Sequence, residues 1–268
     1  MKSLWVAVGL GRAIALGLAL AACSCCTPAA AAQKAASTPD FGPNVLVFDA
    51  SMPATEMQQK IDAVYQVQQH NEFGGERNAI LFLPGEYKLD VPLGFYTEVI
   101  GLGSTPDAVH ITGNVHADAS LPRNNATCTF WRALEGFSVT PAGGPLDGTM
   151  QWAVSQAAPF RRMHVHGSMM LNQKNGWASG GWMADSVVDG NVGSGTQQQW
   201  ISRNSEWGSW TGANWNMVFV GVKQPPAGEW PKRKWARRRW CARSRFWWRR
   251  QPGAGACACL GWFATRQA

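Results

Sequence analysis

Two periods can be read from the apolar positions between Asn44 and Val222. "NVLVFD" (residues 44–49) is a run of four apolar residues between Asn44 and Asp49 and predicts a short strand with alternating burial. "SMPATEMQQKIDAVYQVQQ" (51–69) instead sets Met57, Ile61 and Val64 on one helical face, which predicts a helix over 52–69. Ser51 or Thr55 stands where a cap is needed, and Gln58, three beyond Thr55, completes a capping-box pattern. "NAILFLPGEYKL" (78–89) runs apolar from Ala79 to Leu83 and stops on Pro84-Gly85, as a strand does at a turn. No comparable helical pattern follows. The chain continues in short β-rich pieces, "VHITGN", "FSVTP", "RMHVHG", "DSVVDG", "QWISRNSEWG" and "NMVFVGV", most of them punctuated by glycine.

Aligned on those glycines, the pieces give Thr112-Gly113, Glu135-Gly136, His166-Gly167, Asp189-Gly190, Trp207-Gly208 and Val220-Gly221, at intervals of 13 to 31 residues and twice 23. That spacing suits a stacked β architecture with insertions along one edge, about six rungs if each takes some 20 to 25 residues. The competing reading is an antiparallel sandwich whose strands end in glycine, but a sandwich wants tighter hairpin dipeptides than this stretch offers.

A single helix followed by "ILFLPGEYKL" and then glycine-punctuated strands resembles the start of the pectate-lyase-like proteins. "FGPNVLVFDASMP", "WAVSQAAPFRRMHVHG", "WASGGWMADSVVDG" and "QQQWISRNSEWGSWTGANWNMVFVGV" resemble, more narrowly, a group of large secreted bacterial proteins related to glycoside hydrolase family 55. Members of that group often carry labels such as coagulation factor 5/8 type domain protein or adenylyl cyclase. The resemblance covers about Phe41 to Val222. It implies an all-β fold, a right-handed parallel β-helix (a pectin-lyase-like solenoid) with an N-terminal capping helix over residues 44–222. A cap answers a physical need, because a first rung otherwise presents unpaired edge groups and apolar side chains. A cyclase activity does not fit the residues, which show no phosphate-cradling glycine loop opening a helix and no carboxylates paired for two metals.

Composition changes the picture at the two ends. Lys2 and Arg12 bracket the start of a short uncharged apolar run, "AIALGLALAAC", which reads as a signal peptide over residues 1–32. Two exits are legible. "LAAC" offers Cys23 as a lipidation site and a lipid anchor as the one membrane link, whereas "TPAAAAQ" offers small residues for ordinary cleavage. Residues 33–43 form a linker. Either exit places the protein outside the cytoplasm, secreted or in the cell envelope. Of the seven cysteines only Cys128 lies in the body, so no internal disulfide holds the fold.

The formal charge of +7 suggests nucleic acid until it is located. Twelve of the 24 Lys and Arg, but a single acid, fall after Val222, so residues 1–222 carry a net −4. No nucleic-acid partner is expected. The tail, 223–268, is rich in Trp, Arg, Cys, Ala and Gly without helical or strand periodicity. It reads as a frameshifted or misassembled ending, disordered and attached to an incomplete domain. A genuine Arg/Trp arm for membrane or nucleic acid is the alternative.

The chemistry expected of the body is carbohydrate chemistry with no cofactor and no metal, on a polysaccharide partner and as a monomer. Stacked rungs repeat at about 4.8 Å, so the glycine alignment puts Glu135, His166 and Asp189 in one column, the carboxylates about 9.5 Å apart. That lies at the upper end of the window for an inverting acid and base, and inversion is also what the resemblance implies. Asp185, four residues before Asp189, faces the same side if the strand is unbroken. His164 and His166 have metal-ligand spacing but no evident third ligand. Arg161 and Arg162 are placed to hold an acidic sugar or to pair with Glu135 or Asp185. Trp177, Trp182 and Trp200 offer flat faces for sugar rings, and Gln198 an amide for hydroxyls, with Trp177 and Trp182 flanking an exposed, flexible "ASGG". Internal packing is the plain alternative for the tryptophans, and polar turns for the column. A noncatalytic carbohydrate-binding or cell-surface adhesion module is the alternative function.

Overall fold

The computed structural model describes residues 40–226 apart from 144, 145, 147 and 213–215. Cys23, the apolar leader and all but four residues of the basic tail lie outside the described residues.

The described residues begin with β1 (Val45–Phe48) and helix α1 (Ala54–Gln68). The chain then lays down β2 (Asn78–Phe82) and β3 (Gly85–Pro92), and β4 (Thr97–Gly101) and β5 (Val109–His116). Next come β6 (Arg132–Glu135), β7 (Ser138–Pro141) and β8 (Thr149–Gln151), then β9 (Pro159–Arg161), β10 (His164–Val165) and β11 (Ser168–Met170). The last described elements are β12 (Trp182–Ala184) and β13 (Val187–Gly193), β14 (Trp200–Arg203) and β15 (Glu206–Thr211), and β16 (Met217–Val220). One eight-stranded sheet has the order β1-β2-β4-β6-β9-β12-β14-β16, and a second the order β3-β5-β7-β10-β13-β11-β8 with β15 on β13. Every pairing between these strands is parallel. Strands that alternate between two parallel sheets as the chain advances are the arrangement of a parallel β-helix, and the antiparallel sandwich is overturned.

Register explains the apolar spacing. In the first sheet Ile80, Val99, Leu134, Phe160, Met183, Ser202 and Phe219 are successive partners, all buried. In the second, Tyr87, Ile111, Val139, Val165, Val188 and Trp207 do the same. Apart from Ser202, the two columns belong to one core cluster. Each fully buried aliphatic or aromatic side chain contributes roughly 1.5–3 kcal/mol, an upper figure for an extended reference chain.

Helix α1 buries Met57 and Ile61 in that core and runs alongside β3. Its start is not capped as expected. Pro53 holds the cap position with no side-chain hydrogen bond, and the Ser51 backbone N–H donates to Asp49 Oδ1 at 2.8 Å. Gln58 makes no capping box. Its amide reaches β3, donating to the Asp90 carbonyl at 2.7 Å and accepting from the Asp90 N–H at 2.9 Å.

The stop at Pro84-Gly85 is the corner from β2 into β3. Gly85 has φ +153°, and a Cβ there would meet the Ala50 side chain at 2.5 Å. Tyr87, two residues on, is buried and donates to the Leu83 carbonyl at 2.7 Å, locking the corner. Its removal from water pushes the phenol up to about 12.

Where the first sheet hands over to the second, four successive rungs use two residues: Gly136-Phe137, Arg162-Met163, Asp185-Ser186 and Asn204-Ser205. The first residue of each pair has positive φ, at 78°, 49°, 52° and 48°. The backbone ladder continues through them, Arg162 N to Ala184 O at 3.0 Å, Asp185 N to Arg203 O at 3.0 Å and Asn204 N to Val220 O at 2.8 Å.

These corners correct the glycine alignment, because two kinds of glycine were mixed in it. Gly136 is a corner, and Gly221 (φ 65°) closes off β16 beside Asn204. Gly190 instead lies inside the second sheet, where a Cβ would meet the Gly167 carbonyl at 2.8 Å. Glu135 therefore belongs to the first sheet, partnered with Arg161, and does not stand in the column of His166 and Asp189. In that column Thr140 takes its place, since Val139, Val165 and Val188 are successive partners.

Candidate functional site

The outer face of the second sheet gathers groups from four strands. His110 on β5 is half-buried, its Nδ1 2.8 Å from Ser138 Oγ and its Nε2 3.2 Å from Thr140 Oγ1, both on β7. His164 and His166 follow on the next rung, ring centroids 3.9 Å apart, with His110 5.4 Å from His166. Asp189 on β13 bridges the pair, Oδ1 3.1 Å from His164 Nε2 and Oδ2 3.1 Å from His166 Nδ1. Asp107, from the 3-10 turn Pro106–Ala108, closes the group from the other side. Its Oδ1 lies 2.8 Å from His164 Nδ1 and 3.3 Å from His166 Nε2. Burial works against the charge on both carboxyls, but the hydrogen bonds and charge of the two imidazoles outweigh it and hold Asp107 and Asp189 below the usual aspartate value.

His166 and Asp189, both expected at the site, are thus brought together. Glu135 is elsewhere, clamped by the Arg161 guanidinium at 3.6 Å and by that of Arg162. The pairing role of these arginines is the one the structure supplies. Asp185 does not share a face with Asp189, because the strand breaks at the Asp185-Ser186 corner. Its carboxylate accepts from Asn204 Nδ2 at 3.0 Å and pairs with Arg203 at 3.4 Å.

The aromatic set divides. Trp177 is 59% exposed, whereas Trp182 is half-buried between Arg161 and Arg203, whose guanidinium carbons lie 5.8 and 5.9 Å from its ring centre. The "ASGG" between them is neither exposed nor loose. Ala178 is fully buried, and Gly180 N donates to Gln197 Oε1 and the Gln199 carbonyl, each at 3.0 Å. Trp200, expected to face substrate, is 1% exposed in the core, its indole N–H donating to Ser202 Oγ at 3.0 Å. Gln198 is half-buried, its backbone N–H bonded to the Ala178 carbonyl.

Two features escaped the sequence reading. Asp107 lies 57 residues before His164, so no local motif joins them. Tyr96 and Trp131 stack at 5.2 Å and 8°, with Arg77 over Tyr96 at 3.4 Å, a partly exposed aromatic platform. Of the expected tail, Lys223 pairs with Glu206 and the Gln224 carbonyl accepts from Trp207 Nε1 at 3.1 Å, so its first residues touch the body.

No protein-family profile matches the chain. It is homologous to an exo-beta-1,3-glucanase of Streptomyces sp. (strain SirexAA-E / ActE), 48% identical over 205 residues, a stretch that takes in 76% of this chain and 33% of that relative. Two solved structures are similar to it. They are sacteLam55A from Streptomyces sp. SirexAA-E and an ensemble refinement of a variant of it in complex with glucose. Each has a TM-score of 0.67 at 48% identity and covers 72% of this chain and 34% of the solved chain. The chain therefore spans about a third of the length of these relatives. The resemblance to glycoside hydrolase family 55 is supported by this homology.

Proposed function

We propose that the chain is part of a glycoside hydrolase of right-handed β-helix type that acts on β-1,3-glucan, with α1 as the cap over its first rungs. The observation that carries this reading is the 48% identity over 205 residues to an exo-beta-1,3-glucanase. The position of α1 supports the cap, since its apolar face enters the core where β1 and β3 begin the two sheets. Export, by the apolar leader and with or without a lipid on Cys23, and action as a monomer belong to the same proposal.

An inverting mechanism needs two carboxylic groups around one water, about 6.5–9.5 Å apart. The carboxylates of Glu135, Asp185 and Asp189 are each held in ion pairs, and Glu135 and Asp189 are on different sheets. We therefore assign this portion to shape and recognition, with the chemistry completed by groups not among the described residues. Exposed Trp177 and the 37% exposed Trp131, backed by Tyr96, suit the C–H faces of glucose rings, and this favours a second reading, a noncatalytic glucan-binding module.

The test is the full chain with laminarin-type β-1,3-glucan, following reducing-sugar release together with retention on insoluble glucan. Retention without turnover, weakened by Trp177→Ala or Trp131→Ala, is expected. Turnover lost in Glu135→Gln or Asp189→Asn would show that the catalytic pair is already complete. Neither turnover nor preferential retention on β-1,3-glucan would refute the glucan assignment.

A further inference from the structure

We infer that Asp107, His164 and His166 form a binding site for one divalent transition-metal ion of the zinc class, with Asp189 behind them as the positioning carboxylate. The ligand atoms they offer all lie within 4.8 Å of one another. More narrowly, Asp107 Oδ1 is 2.8 Å from His164 Nδ1 and 3.3 Å from His166 Nε2. Tetrahedral ligation at about 2.0–2.1 Å sets the ligand atoms about 3.3–3.4 Å apart, so small shifts admit an ion between them.

The other two ring nitrogens settle the orientation. His164 Nε2 and His166 Nδ1 each face a different oxygen of the same carboxylate, Asp189, at 3.1 Å. A metal-bound imidazole characteristically donates its remote N–H to a carboxylate, which fixes the tautomer that turns the bare nitrogen to the ion. One aspartate does this here for both histidines.

The donor set selects the class of ion. Two imidazoles and one carboxylate suit zinc and its first-row neighbours, whereas magnesium and calcium prefer oxygen throughout. Three protein ligands leave a position open, and the side-chain exposures of 57% for Asp107, 22% for His164 and 34% for His166 keep the site in reach of solvent. His110 lies outside the set, because its two nitrogens are taken by Ser138 and Thr140. The ion would tie the 3-10 turn before β5 to β10 in another rung.

The full chain, with its cysteines alkylated and freed of metal by chelator, is titrated with Zn²⁺ by calorimetry and with Co²⁺ by visible absorption. One equivalent is expected to bind, with nitrogen/oxygen d–d bands and no thiolate charge-transfer band, and Mg²⁺ is expected not to compete. Asp107→Asn and His166→Gln are expected to lose binding 100-fold or more, Asp189→Asn 10- to 100-fold, and His110→Gln nothing. Circular dichroism of each variant shows that it is folded. Absence of saturable binding by the folded wild type, or Asp107→Asn and His166→Gln binding as tightly as it does, would overturn the site, leaving a hydrogen-bonded quartet alone. Neither outcome depends on whether glucan is the substrate.

Discussion

Raising the pH above neutrality should weaken this fold through one histidine. His116 ends β5 with only 11% of its side chain exposed, its Nε2 3.3 Å from Asp90 on β3 and its Nδ1 3.0 Å from Asp118. Beyond Asp118 lie Gln151, donating to it at 2.6 Å, and Tyr65 of α1 and Arg132 of β6, which share a small pocket with it. Burial alone would lower the imidazole's pKa. The contacts with Asp118 and Asp90 overcome that and raise it to about 9, against 6.5 in an unstructured chain. The folded state therefore keeps a proton that the unfolded state gives up between those values. The contribution of His116 to stability is full below about pH 6.5 and is lost as pH rises to about 9. The difference between those two values corresponds to about 3 kcal/mol, lost at up to about 1.4 kcal/mol per pH unit. Urea unfolding of the full chain at fixed pH values from 6 to 10, beside His116→Gln, checks this. The wild type should lose stability across the window and the variant should be flatter by about that amount. Parallel curves for the two proteins would refute the reasoning.

Trp200→Ala should cost about 3–5 kcal/mol in chemical denaturation, because it opens a cavity in the core, while Trp177→Ala should leave stability within about 0.5 kcal/mol. Gln58→Ala removes both hydrogen bonds that tie α1 to β3 and should cost about 1–2 kcal/mol, with faster amide exchange along β3. Asn204→Val places a β-branched residue at φ 48° and should lower the melting temperature by more than Asn204→Gly, which loses the same bond to Asp185 but tolerates the left-handed backbone, the difference being roughly 1–2 kcal/mol.

The strands and the helix were legible because burial imposes a period, and Met57, Ile61 and the run Ala79–Leu83 carry it openly. Facing was less legible. In "WISR" the buried positions are Trp200 and Ser202 while Ile201 is 45% exposed, so hydrophobicity alone points the strand the wrong way. Register was illegible at the glycines, since a corner glycine and a mid-strand glycine look alike in sequence but answer different needs, Gly136 a left-handed backbone and Gly190 a close carbonyl. The histidine pair was visible as spacing. Its partner Asp107 was not, because the stack brings a turn of one rung against the strands of others, and no local pattern records that closeness.

The two-residue corners carry a further consequence. Four rungs in a row cross from one sheet to the other in the same short step, whereas their return paths differ in length. One side of the molecule thus works as a ruler with fixed graduations, and the other as a margin where residues can be added without disturbing them. Variation that reshapes a binding surface can accumulate in the margin, while side chains within three residues of the ruler, Asp189 among them, keep their spacing whatever is inserted opposite.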